Sequence, residues 1–342
     1  MPAEELVTVV IPALNEESFL GQCLDSVRAQ DYRELQIVVV DGGSTDATVG
    51  VIRAHMEEDD RIELVHNHRP NIPSSLNLAL DRARGRWLVR VDAHSTVDAS
   101  YVRTAVGRLR EGSWAGVGGR KHGVGRTSAG RAIAAAMSSR FGVGNSTYHY
   151  GTSLQEVDHL PFGAYSVEVV RRANGWNDHL EANEDFEFDY RLRQAGMRLL
   201  FDPDIVIHWQ CRQSIRDLYR QYYRYGRGKV GVARLHPGSM RLRHIAPPAF
   251  VAYATAGALL NLRRPARWLA MVAPYALALA VASIRTGRQL NSLSDRGRVP
   301  LAFLAMHVGW GAGFWSGVTE AVVQSGGTGR RVPDHHSTAE DS

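Results

Sequence analysis

The first ninety residues alternate apolar and amphipathic stretches at a spacing that leaves few folds open. Residues 6–11 (L-V-T-V-V-I) are apolar almost without interruption and are closed by Pro12, so they read as a strand buried on both faces. Residues 16–28 then carry Phe19, Leu20, Cys23, Leu24 and Val27 at helical spacing. The pattern repeats with strands at 35–40, 62–65 and 86–91 and helices at about 47–56 and 74–83. Doubly buried strands that alternate with helices require a mostly parallel sheet covered on both sides. The expected fold class is therefore α/β. Ligands of such sheets sit beyond the carboxyl ends of the strands. There the chain places three polar loops, at 12–17, 41–46 and 92–94, which converge on one crevice.

The third loop contains two metal-capable side chains. Asp92 and His94 are one residue apart at the exit of a strand, and strand side chains alternate, so both project the same way. A carboxylate and an imidazole so placed can share a divalent cation and leave open positions for phosphate oxygens. The competing reading is a turn cap beside a solvated histidine. His208, at the end of a later strand region (199–207), is a candidate further ligand or a satisfied histidine beside Trp209.

Downstream, residues 102–109 read as a helix, the glycine-rich passage 112–130 as strand and loop, and 132–141 as a short helix. Residues 160–165 and 174–178 read as loops around a helix at 167–173. Residues 183–195 form a marked helix, with Asn183 as N-cap, Glu184 and Asp185 in the first turn, Arg191 and Arg193 in the last, and Gly196 as terminator. A basic, tyrosine-rich helix follows at 215–232.

Charge is distributed unevenly. After Asp217 acidic residues vanish until the tail, except for Asp295 and Glu320, while arginines continue. An acid-poor, increasingly apolar C-terminal third suits an anionic lipid surface. Nucleic acid is disfavoured, because the chain has no RNA-binding signature, no zinc-finger spacing and no basic stripe interleaved with aromatics. Three apolar segments, about 247–262, 268–284 and 299–323, approach the roughly 17–25 residues of a spanning helix. Arginines flank all three on both sides, so charge gives no orientation. The alternative is a soluble helical domain. Residues 326–342 read as a polar, disordered tail. Cys23 and Cys211 make no disulfide framework, and the acidic start is not a secretory signal.

Four motifs stand in order: P-A-L-N-E-E at 12–17, V-V-D-G-G-S-T-D at 39–46, R-V-D-A-H at 90–94 and N-E-D-F-E-F-D-Y-R-L-R-Q-A-G at 183–196. Together they resemble the inverting family 2 glycosyltransferases over about residues 7–227. Q-Y-Y-R-Y at 221–225 and the apolar C-terminal third are similar to membrane-associated members that build bacterial exopolysaccharides, the succinoglycan-type glucosyltransferases among them. The resemblance implies a GT-A catalytic domain over 1–232, followed by a helical membrane-associated region over 233–325. It also implies transfer of a hexose, glucose foremost, from a nucleotide sugar, foremost a UDP-sugar, to a lipid-linked or growing glycan acceptor. The expected place is the cell membrane, with the catalytic domain on its cytoplasmic side.

By resemblance, Pro12, Ala13, Asn15 and Glu16 lie against base and ribose, and Asp41 hydrogen-bonds the pyrimidine. Ser44 touches ligand or caps the next helix, and Arg69 and Asn77 approach the nucleotide. Asp92 matches the first acid of an Asp-x-Asp pair whose second position here holds His94, which tilts the expected cation from Mg²⁺ toward Mn²⁺. Asp185 matches the catalytic base of the Glu-Asp pair, with Glu184 beside it. Gln221, Arg224 and Tyr225 resemble an element that closes over diphosphate and acceptor, with Tyr in place of Trp; Trp176 is acceptor platform or core. Two alternatives stand: a processive polysaccharide synthase, for which three segments are few, and a non-catalytic nucleotide-binding membrane scaffold. A nicotinamide oxidoreductase is disfavoured because residues 11–15 lack the glycines that bring a helix to a pyrophosphate.

Overall fold

The computed structural model describes residues 4–69 and 71–327. The N-terminal half alternates as expected: β1 (Val7–Ala13), α1 (Leu20–Arg28), β2 (Leu35–Asp41), α2 (Thr48–Glu58), β3 (Ile62–His66), α3 (Ile72–Arg82) and β4 (Trp87–Arg90). There follow β5 (Ser95–Val97), α4 (Tyr101–Arg110), β6 (Gly116–Val124), α5 (Ser128–Met137), α6 (Arg140–Val143), β7 (Gln155–Val157), β8 (Ala164–Ser166), α7 (Val167–Arg172), α8 (Glu184–Gln194) and β9 (Leu199–Gln210). The chain continues with α9 (Ile215–Leu235), α10 (Leu242–Leu260), α11 (Pro265–Gly287) and α12 (Leu293–Gly327).

The strands form one mixed sheet in the order β3-β2-β1-β4-β8-β6-β9-β5, with β7 also on β9. β1, β2, β3 and β4 pair in parallel, and so do β6 and β9; β8 runs antiparallel between β4 and β6. Alternation sorts the apolar strands onto two cores: Val9, Ile11, Ile37 and Val39 face one, Val10, Val38 and Val40 the other. The strand region expected at 199–207 is one twelve-residue strand, β9. It carries Asp202-Pro203-Asp204 through a register shift against β6 at Gly119/Arg120, the kind of irregularity where a proline's missing N–H is tolerated. The helix expected at 132–141 begins earlier, because Thr127 caps it by accepting from the Gly130 N–H, and it breaks into α5 and α6.

The three apolar C-terminal segments differ in role. α12 packs along α9, where Gly309, Gly313 and Gly317 recur every fourth residue against Tyr219, Tyr223 and Arg227. A Cβ on Gly313 would stand 1.9 Å from the Tyr223 carbonyl oxygen, so glycine is what lets the two backbones approach. Val299, Ala302, Phe303 and Met306 of the same helix are fully or almost fully buried in the core shared with the α/β half. Among the described residues only α11 is long and apolar enough to cross a membrane, and little of its apolar window is buried. The tail expected to be disordered falls outside the described residues from 328 onward.

Candidate active site

The loops after β1 and β2 are tied to each other. Asn15, in the left-handed region (φ 55°), accepts from the Thr45 N–H through Oδ1 and donates its own N–H to Ser44 Oγ. The Glu16 N–H donates to Thr48 Oγ1, while Asp46 accepts from the Glu17 N–H. Asn15, Ser44 and Asp46 are thus the staples of this corner. Asp41 is buried at the end of β2 and accepts from the Gly43 and Ser44 N–H groups. Pro12 and Ala13 end the neighbouring β1, and Arg69 is exposed beyond β3.

Three expected site residues, Asn77, Trp176 and His208, do not gather at the cavity, and one expected helix cap is not made. Asn77 on α3 spends its amide on the turn before α8: its Nδ2 donates to the Trp176 carbonyl and to Asp178, and its Oδ1 accepts from the Trp176 N–H. Trp176 is itself buried against Phe188, with ring centroids 5.0 Å apart, so it is core and not an open platform. His208 pairs with Asp98 at 3.0 Å; alternation along β9 turns it away from Trp209, which faces the cavity. Asn183 precedes α8 in the left-handed region (φ 64°) and makes no side-chain cap, because its Nδ2 donates instead to the Tyr225 carbonyl.

Asp92, His94 and Asp185 do line one cavity, and Arg90 ties Asp92 to Glu184, the neighbour of Asp185. Its buried guanidinium donates to Asp92 at 3.2 Å and to Glu184 at 3.1 Å, linking the strand exit to the first turn of α8. Glu184 is almost fully buried; burial first and the neighbouring Asp185 second hold its pKa above the ordinary carboxylate range, and Arg90 opposes them. Asp185 is partly open to the cavity. The Nδ1 of His94 lies 2.9 Å from Glu16, so donation to that carboxylate leaves Nε2 with a lone pair. This is the outer-shell pairing that orients a metal-ligating histidine. Among the described residues no three acidic, histidine or cysteine side chains converge as a complete metal site. Any cation here would take Asp92 and His94 and complete its shell with ligand oxygens.

Two neighbours of this corner are not obvious in the sequence. Lys121 on β6 lies over the Trp209 ring at 3.8 Å and has no ion-pair partner among the described residues. Burial pushes its amine down to about 8, against the pull of Asp92 and Asp185. Phe162, with a left-handed φ of 58°, holds its ring under both Arg90 and Lys121; a bulky residue there stores roughly 1–3 kcal/mol of strain. A signal for Arg90 exists in the sequence, since a lone charge inside an apolar strand demands a buried partner.

The cavity holds about 580 Å³ and continues past the acids. Gln221, Arg224 and Tyr225 of α9 line its middle, with the Gln221 Nε2 donating to the Tyr225 hydroxyl. Beyond them the walls are Phe141, Pro247, Phe250, Tyr275, Met306 and Trp310, from α6 and α10–α12. The walls around the acids are charged, and those from α10–α12 are mostly aromatic and aliphatic, with His244 and His307 set among them.

The family described as Glycosyl transferase family 2 matches residues 8–173. The chain is 30% identical over 325 residues to the succinoglycan biosynthesis protein ExoA of Rhizobium meliloti (strain 1021), an alignment covering 92% of this chain and 97% of that protein. Among solved structures, the mannosyltransferase PcManGT from Pyrobaculum calidifontis, in complex with GDP-Man and Mn²⁺, superposes with a TM-score of 0.60 at 22% identity, covering 93% of this chain and 88% of that one. Residues 1–349 of S. aureus TarS in complex with UDP-GlcNAc give 0.53 at 16% identity, covering 92% of each chain. The fold they share with this chain is GT-A. By its match to ExoA along almost the whole of both proteins, this chain belongs to glycosyltransferase family 2, enzymes of polysaccharide and glycan biosynthesis.

Proposed function

We propose that this enzyme moves a hexose, glucose foremost, with inversion from a nucleotide sugar, foremost a UDP-sugar, to a lipid-linked acceptor at the cytoplasmic face of the cell membrane. The observation that carries the reading is the cavity, charged around Asp92, Arg90, Lys121 and Asp185 and mostly aromatic and aliphatic, apart from Arg243, His244 and His307, where α10, α11 and α12 close it. A free sugar acceptor has no use for an apolar arm, whereas a lipid-linked one has both a polar head and a chain to seat. α11 lies beside that arm with its apolar side exposed, flanked by Arg263, Arg264, Arg285 and Arg288, as suits a helix in a bilayer with anionic headgroups.

The chemistry follows from the residue types. Inverting transfer is one displacement, in which an acceptor oxygen attacks the anomeric carbon opposite the departing diphosphate. Asp185 accepts the hydroxyl proton as the oxygen attacks. Arg90 keeps Asp92 and Glu184 in place, and Lys121 presents a positive charge toward the charged end of the cavity. Asp92 and His94 are the residues that would hold a divalent cation, Mn²⁺ before Mg²⁺ for an imidazole ligand; bound there it neutralises charge on the leaving diphosphate. Asp41 and the stapled loops at 12–17 and 41–46 receive the nucleotide.

The test is a panel of nucleotide sugars incubated with the full chain, MnCl₂ or MgCl₂, and bacterial membranes as the acceptor source. Release of nucleoside diphosphate with sugar entering the solvent-extractable lipid is the expected result. No turnover of any donor with any divalent metal rejects the reading, and transfer only to water-soluble glycan rejects the lipid-linked acceptor.

A further inference from the structure

Behind Asp185 stands a buried imidazole held between two carboxylates of one helix. His159 Nδ1 is 2.8 Å from Asp189 Oδ2, and its Nε2 is 3.7 Å from Asp185 Oδ2. Asp185 and Asp189 are four residues apart on α8, so they sit on one face and bracket the ring. Asp189 is fully buried and also accepts from the Leu160 N–H at 2.7 Å and the Tyr165 hydroxyl at 2.8 Å. A carboxylate surrounded by three donors acts as an acceptor, so it fixes the hydrogen of His159 on Nδ1. The lone pair of Nε2 then faces Asp185.

Resting on the reading of Asp185 as base, we infer that His159, oriented by Asp189, is the positioning residue of that base and takes over the proton that Asp185 removes from the acceptor. The acceptor O–H bond breaks while its oxygen forms the new bond to the anomeric carbon. The bond to the diphosphate breaks, and its electron pair leaves with the diphosphate. The proton passes to Asp185 Oδ2 and on to His159 Nε2, so Asp185 returns ionised and the imidazolium rests against Asp189. The arrangement has the logic of a carboxylate-oriented histidine in nucleophile activation, with a carboxylate in the nucleophile's place.

The surroundings set the pH behaviour. Burial works against a charged imidazole, but Asp185, Asp189 and then Asp158 outweigh it and raise the His159 pKa above its usual 6.5. Tyr148 meets the ring edge-on at 5.5 Å, His149 and His244 face it from the 147–149 turn and α10, and Arg243 is paired with Asp158. Phe186 lies 5.6 Å from the ring, and the Lys229 amine, which burial pushes down to about 7, is 3.3 Å from the centroid of that phenyl. Protonated His159 has no lone pair and holds Asp185 in an ion pair, so turnover falls as pH drops through the His159 pKa.

The experiment uses the full chain in detergent with UDP-glucose, MnCl₂ and bacterial membrane lipid as the acceptor source, reading UDP release from pH 5 to 9 for wild type, D185N, H159Q and D189N. Imidazole NMR of ¹⁵N-histidine-labelled protein, with H159Q to assign the signal, gives the His159 midpoint directly. H159Q is expected to lower kcat about 10- to 100-fold with KM little changed and to remove the acid limb. D189N is expected to move that limb, and the NMR midpoint, to lower pH. A wild-type pH profile in H159Q, with only a lower melting temperature, overturns the proposal while leaving Asp185 as base. A His159 midpoint unmoved by D185N overturns it too, whether or not turnover is seen. Absence of UDP release from wild type counts instead against the transferase reading.

Discussion

Replacing Arg90 with Met tests whether the centre is held together by one buried cation. The wild-type guanidinium is 5% exposed and contacts Asp92 and Glu184. Among the described residues it is the one side-chain donor to the Glu184 carboxylate. Methionine keeps most of the volume and removes the charge, which leaves a carboxylate buried and unpaired. Breaking a buried pair from one side costs about 3–5 kcal/mol. The sign with pH follows from Glu184. Its pKa is already raised above 4.5 by burial and by Asp185, with Arg90 as the opposing influence, so R90M raises it further. A carboxyl whose folded pKa is raised adds stability below its unfolded pKa and loses that stability as pH rises through the folded value. The R90M deficit should therefore be small near pH 4.5 and full at pH 8. Adding E184Q removes the unpaired charge and should recover most of the loss at pH 8. Urea unfolding followed by tryptophan fluorescence, at both pH values, measures all of this. A deficit under about 1 kcal/mol at pH 8, or one that E184Q does not relieve, refutes the reasoning.

Further outcomes follow from other parts of the structure. N77A removes three hydrogen bonds to the 176–178 turn and should destabilise by about 2–4 kcal/mol. Its donor KM, measured on the folded fraction, should not change; a several-fold rise would return Asn77 to the nucleotide. G313A forces a Cβ against the Tyr223 carbonyl and should cost about 1–3 kcal/mol in thermal unfolding, whereas an α12 that floats free of α9 would tolerate it. H94D exchanges imidazole for carboxylate and should shift the ratio of Mn²⁺- to Mg²⁺-supported turnover toward Mg²⁺; an unchanged ratio separates His94 from the cation.

The parallel half of the sheet was legible because β1, β2 and β4 are buried on both faces and so are written as almost unbroken apolar runs. Their carboxyl ends follow from connectivity, and that pointed to Asp92 and His94, both of which line the cavity, before any coordinate. The antiparallel strands β5, β7 and β8 span three residues each, too few to show a period of two. His208 illustrates the same limit: one residue of register decides whether it or Trp209 meets the cavity. Asn77 and Trp176 carry residue types that suit a ligand site, but they find each other across 99 positions. Local pattern cannot reveal such a partner. His159, Lys121 and Arg90 depend on distant partners as well; Arg90 reaches Glu184 over 94 residues. In the C-terminal third, apolar composition alone could not separate α12, which is glycine-packed against α9, from α11, which exposes its apolar side.

The central claim is a metal-assisted sugar transfer with Asp185 as base and a lipid-linked acceptor. Its most direct test is to incubate the full chain and its D185N variant with radiolabelled UDP-glucose, MnCl₂ and bacterial membranes, and then count label in the solvent-extracted lipid. Wild type should label the lipid, and D185N should fall by about 100-fold or more with its fold intact by circular dichroism. Equal labelling by a folded D185N protein would contradict the account.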